Sequence, residues 1–82
     1  MKQTAKIGDL MWFNCHDGIH KEYAIIREIE KVGDADIATG RWYNTRQEAI
    51  RDDGNNDCGN GTMSLDDDAL HIETINKRSL RL

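Results

Sequence analysis

The sequence predicts a small, mainly β domain: an antiparallel sheet curled into a barrel, carrying one short helix at about 45–51. Three observations predict it. Apolar residues recur in short runs whose side chains alternate in direction, the period of a strand. An Asp17-Gly18 dipeptide, the strongest short hairpin signal in the chain, separates the first two runs. The capping box Thr45-Arg46-Gln47-Glu48 announces a short helix.

The elements follow in order. Met1–Lys6 is polar and is expected to be loosely held. Ile7-Gly8-Asp9 turns the chain into a strand, Leu10–Cys15. Leu10 and Trp12 point one way, and Met11, Phe13 and Cys15 the other, so both faces are apolar. That pattern suits a bent strand in which each end serves a different part of a core. Asn14–His20 is a turn. Lys21–Val32 reads two ways. Tyr23, Ile25 and Ile29 share one strand parity, while Ile25, Ile29 and Val32 also fall at helical spacing. The preceding hairpin signal favours a strand. Asp36–Tyr43 is a further strand, with Gly40 at a bulge or a close approach of backbones. The capping box opens the helix, Ala49 and Ile50 face inward, and Gly54 is placed to end it. Residues 55–61 carry turn composition and are expected to form a mobile loop. Thr62–Leu65 is a short extended piece. In 69–75, Leu70 and Ile72 alternate and β-branched residues favour a strand. Yet Ser64, the three aspartates after it and the late Lys77, Arg78 and Arg81 give the charge order of a helix. The alternative architecture is therefore a compact α+β domain with helices at 20–32 and 65–76.

Composition bounds the rest. A chain of 82 residues makes one domain with a small core. The charged fraction of 32% stops short of a disordered composition, because the aromatic and isoleucine residues suffice for a core. No run of about 18 apolar residues occurs and no leader pattern is visible, so the expected location is the cytoplasm, without a membrane partner. Cys15 and Cys58 are then expected to be reduced thiols.

With the strands placed, a resemblance emerges. Gly8-Asp9-Leu10-Met11-Trp12-Phe13, the run ending Ile25-Ile26-Arg27-Glu28-Ile29, then Arg41-Trp42-Tyr43, and Ser64-Leu65 before Leu70-His71-Ile72 resemble the strand order of SH3-like small barrels. The likeness covers about 8–75. The insertion at 44–61 departs from the simplest members. It implies a barrel that binds peptides, nucleic acids or other proteins, and the fold does not choose among them.

No residue pattern names a reaction. Cys15, His16, His20, Cys58 and His71 are able to ligate a metal, and His16 and His20 are spaced for it only on a helix. No closed Cys/His spacing accompanies them, which leaves a zinc-stabilised domain as a minor alternative. Asp53, Asn55 and Asp57 begin a calcium-loop pattern that fails at Cys58 and Ser64. Cys15 beside His16 is no catalytic dyad, because strand neighbours face opposite ways. No nucleotide or nucleophile motif occurs, so no enzyme and no cofactor are expected. Trp12, Phe13, Trp42 and Tyr43, with Arg27, Arg41 and Arg46, would suit a nucleic-acid platform, but in so short a chain they are expected to form the core.

Charge is the remaining signal. Residues 1–51 hold eight acids and eight bases, so the acidity lies further on. Residues 52–73 carry Asp52, Asp53, Asp57, Asp66, Asp67, Asp68 and Glu73 without one Lys or Arg. These seven acids are the expected partner-binding residues, and a basic protein surface is the expected partner. The expected function is non-enzymatic: an inhibitor or modulator that occupies a basic site on a nucleic-acid-handling protein, without touching nucleic acid itself. Small acidic proteins of this type are similar to phage-encoded antagonists of host enzymes, including anti-CRISPR proteins. An SH3-like nucleic-acid-binding domain is the principal alternative.

Overall fold

Six strands and one helix form the fold, described here from a computed structural model for residues 4–75. Strands make up 49% of these residues and belong to one antiparallel sheet. The strands are β1 (Leu10–Asn14), β2 (Lys21–Ile25), β3 (Glu28–Val32), β4 (Ala35–Tyr43), β5 (Asp57–Ser64) and β6 (His71–Glu73). The helix α1 (Arg46–Arg51) follows β4. β1 lies between β2 and β6. β4 pairs with β2 and β3 along one edge and with β5 along the other. No ladder joins β5 to β6 among the described residues, so the sheet is curled but open, and the expected barrel is not closed. The mainly β class with one short helix is what the chain forms. Neither helix of the α+β alternative is present among the described residues. Lys77, Arg78 and Arg81 lie outside them.

The β1–β2 hairpin turns where Asp17-Gly18 predicts. Gly18 has φ 71°, and the Asp17 carboxylate accepts from the amides of Ile19 and His20, satisfying donors that the turn leaves unpaired. The ambiguous segment 21–32 is one strand broken by a bulge. Ala24 faces Trp42 and Glu28 faces Thr39, so the chain carries one residue more between these pairs than its partner does. Gly40 sits under this bend. A Cβ there would lie 2.5 Å from the Ile25 carbonyl oxygen, so only glycine lets the two backbones approach.

The bulge also flips side-chain parity. Ile25 packs with Leu10, Tyr43 and Ala49 on the face that α1 covers, together with Tyr23, Trp12 and Ile75. Ile29 packs on the opposite face, with Met11, Ala24, Ile26, Ala38, Trp42, Leu65 and Leu70. The shared parity of Tyr23, Ile25 and Ile29 therefore does not mean a shared core.

Two expectations are corrected. The mobile loop at 55–61 is mostly strand: β5 pairs with β4 from Tyr43 to Ile37. Gly61 is fixed by packing, since a Cβ there would meet the Trp42 indole nitrogen at 2.9 Å, and Gly59 by its positive φ of 101°. The helix stops at Arg51 as expected, but its cap is Asp52, not Gly54. Asp52 adopts the left-handed conformation (φ 48°), and its amide donates to the Glu48 carbonyl. At the other end Thr45 Oγ1 accepts from the Glu48 amide at 3.2 Å, as expected, while the Glu48 carboxylate accepts from the Thr45 hydroxyl.

Between β5 and β6 the chain crosses the face opposite the helix. Leu65 and Leu70 are buried, each stabilising by roughly 1.5–3 kcal/mol. The Ser64 hydroxyl accepts from the Asp66 amide, and the Asp67 carboxylate accepts from the Ala69 amide. The N-capping chemistry of Ser64 is spent on successive turns, which is why no helix grows. No helix among the described residues is long and apolar enough to cross a membrane.

Candidate functional site

The seven acids of 52–73 do not form one surface. Asp52 Oδ2 accepts from Arg27 Nε at 2.8 Å, and its Oδ1 accepts from the Tyr43 hydroxyl at 2.8 Å. Asp57 lies 3.4 Å from Arg41 Nε. Glu73 accepts from Arg46 Nη2 at 2.6 Å, tying β6 to α1. Asp53 accepts from the Asn55 amide, which holds its carboxyl below the usual range, and reaches Arg51 at 3.9 Å. These four therefore pair with arginines, three of which come from elements before residue 47. The bases needed to neutralise the acidic stretch lie elsewhere in sequence and near it in space. Asp66, Asp67 and Asp68 stand together further along the chain. All three are exposed on the crossing between the buried Leu65 and Leu70.

The metal-capable residues disperse. His20 pairs with Asp17 at the hairpin tip, and this contact raises the His20 pKa while lowering that of Asp17. His71 stacks on Trp12 with ring centroids 4.1 Å apart on the helix face. Among the described residues no three of His, Cys, Asp and Glu are grouped to hold a metal. The two thiols share a neighbour. The Cys15 thiol donates to Glu22 Oε2 at 3.5 Å, and Cys58 lies beside the same carboxylate. Partial burial, and then Glu22, push both thiol pKa values up, so both stay protonated and neither is an activated nucleophile.

The aromatic residues divide between the faces. Tyr43 is fully buried and Trp42 is 6% exposed, as a core predicts. Trp12 is only half-buried, with the Lys21 ammonium 5.1 Å from its ring centre. Phe13 meets Trp42 edge to face at 5.1 Å.

Beside that pair lies a feature the acidic segment does not reveal. Phe13, Glu22, Trp42, Thr62 and Met63 line an open pocket of about 120 Å³. Phe13 and Met63 pack against the core beneath the crossing, so the pocket and the three aspartates share a face. Glu22 stands opposite Phe13 in the hairpin register. Alternation along β2 sends it, with Ala24, toward the apolar side, and that was the available sequence signal.

The arrangement offers recognition rather than bond chemistry: a carboxylate over aromatic walls, and a rigid acidic turn nearby. No family model, curated protein or solved structure matches the chain.

Proposed function

We propose that this protein is a non-enzymatic protein-binding module that docks on a basic surface of a nucleic-acid-handling protein, as an inhibitor or modulator of the kind that phage-encoded antagonists, including anti-CRISPR proteins, represent. One observation carries the reading. The crossing between β5 and β6 presents Asp66, Asp67 and Asp68, all exposed, on a backbone pinned at both ends by buried leucines. Fixed charges lose little conformational freedom when they meet a partner, and a single-sign cluster steers association with a positive patch.

The test is to capture partners from a bacterial lysate treated with nuclease, and to measure binding of the captured protein. Changing Asp66, Asp67 and Asp68 together to Asn is expected to slow association and to flatten the salt dependence of binding. Unchanged affinity for the captured protein, with tighter binding of a labelled oligonucleotide, would overturn the reading.

A second reading, a nucleic-acid-binding sheet, is favoured by the Trp12–His71 stack with Lys21 on the helix face. The same oligonucleotide titration decides between them.

A further inference from the structure

The pocket between Phe13 and Trp42 has the chemistry of a receptor for one cation. Its walls are two aromatic rings and the Met63 thioether, and Glu22 supplies the charge. Among the described residues Glu22 meets no Lys, Arg or His. Its donor is the Cys15 thiol, a weak hydrogen-bond donor, while the Cys58 thiol donates to Asn44 Oδ1. A half-buried carboxylate served by a single thiol retains most of its capacity to accept from a stronger, charged donor. Aromatic faces and edges beside it add cation–π attraction and exclude water. The volume, about 120 Å³, is somewhat below the ~150 Å³ of a cavity that admits benzene. It suits the end of one side chain.

We propose that this pocket receives a single arginine or lysine side chain of the partner protein, its cationic head against Glu22 and its alkyl stem against Phe13, Trp42 and Met63. The inference rests on the docking reading above and deepens it. The aspartates on the same face draw a basic surface in, and the pocket fixes one residue of that surface. A phosphate or a nucleic-acid backbone is excluded as occupant, because Glu22 would repel it.

The experiment titrates the isotope-labelled protein with N-acetyl-arginine methylamide and N-acetyl-lysine methylamide, following the two indole N–H signals by NMR. Trp42 lines the pocket, whereas Trp12 lies on the opposite face and serves as the internal control. The expected result is a saturable shift of Trp42 and of the Gly61 amide beside it, with Trp12 still. N-acetyl-citrulline methylamide, the neutral analogue of arginine, is expected to give no saturable shift. Glu22→Gln is expected to weaken binding by about tenfold, as loss of a charge-assisted hydrogen bond does. Glu22→Lys, which supplies its own ammonium, is expected to leave the pocket unresponsive. Equal shifts of Trp12 and Trp42, or equal binding of citrulline and arginine, would overturn the proposal, and the citrulline comparison needs no variant. The captured partner separates the two readings. If its binding survives Glu22→Gln but falls when the three aspartates are neutralised, the pocket proposal fails alone. If the pattern is the reverse, the pocket stands and the acidic turn fails.

Discussion

Replacing Asp52 is expected to be the costliest single change at an acidic residue of this protein. Three roles converge on it. Its carboxylate accepts from the hydroxyl of the fully buried Tyr43, it pairs with Arg27 across the bend, and its backbone makes the left-handed cap of α1. In Asp52→Ala the Tyr43 hydroxyl loses a charged acceptor, worth about 1.5–3 kcal/mol. The Arg27 pair adds only about 0.2–1 kcal/mol, because the guanidinium is well exposed and screened. Alanine at positive φ costs roughly a further 1 kcal/mol, where Asp and Asn are tolerated. The total is about 3–5 kcal/mol, a large share of the stability of a domain this small. Asp52→Asn keeps an acceptor and the backbone preference and is expected to cost about 1 kcal/mol. Asp52→Gly isolates the side-chain part, about 2–4 kcal/mol, the sum without the backbone penalty. Urea unfolding of the three variants, with Tyr43→Phe and the double mutant, measures each part. If Ala and Asn variants differ by less than about 0.5 kcal/mol, or if Asp52→Ala and Tyr43→Phe add without coupling, the reasoning is refuted.

Two further predictions concern the aromatic residues and the hairpin tip. Trp42→Ala is expected to destabilise by roughly 3–5 kcal/mol and Trp12→Ala by less than half of that, since only Trp42 is enclosed. Equal losses in thermal melts would contradict the assignment of Trp12 to the surface. The His20 midpoint in a proton NMR titration is expected above its ordinary 6.5, and to fall toward it in Asp17→Asn. The pair's contribution through His20 is complete below pH 6.5 and is lost as pH rises through the raised midpoint. Its contribution through Asp17 is complete above pH 3.8 and is lost as pH falls through the lowered one. A His20 midpoint indifferent to Asp17 would contradict the contact.

What was legible in the sequence was local. Alternation gave β1 and β4, Asp17-Gly18 gave the hairpin, and the Thr45–Glu48 spacing gave the helix start, because each signal is complete within a few residues. The first part of β5 was hidden, since residues 57–61 have the composition of a turn, while the extended piece at Thr62 was legible. β5 is a strand because the free edge of β4 requires a partner, and the Trp42 indole lies where only a glycine fits at 61, the residue opposite Gly40. The helix reads correctly to Arg51, and only its cap does not, because Asp52 takes the left-handed position with partners, Tyr43 and Arg27, that lie nine and 25 residues away. The acidic segment was legible as charge but not as surface. Distance along the chain carried no information about Arg27, Arg41 and Arg46, which neutralise Asp52, Asp57 and Glu73. Glu22 was missed because an isolated acid on an alternating strand looks like ordinary solvent contact.

The bulge at Ile26 and Arg27 works like a frameshift in the fold. Upstream of it, even-numbered residues of the strand face the crossing; downstream, odd-numbered ones do. Deleting one residue there would restore a single frame. Ile29 would keep its place opposite Ala38, but the bend that buries Ile26 and lets its amide donate to the Asp9 carbonyl would be lost, although no residue of β3 had changed. At the tip between β3 and β4, Gly33 has open space around it, and an added residue disturbs only the turn. The chain therefore carries two sites, a few residues apart, with opposite tolerance to a change of length. Variants of this protein are expected to differ in length at 33–34 and to keep a fixed count from Tyr23 to Ile29.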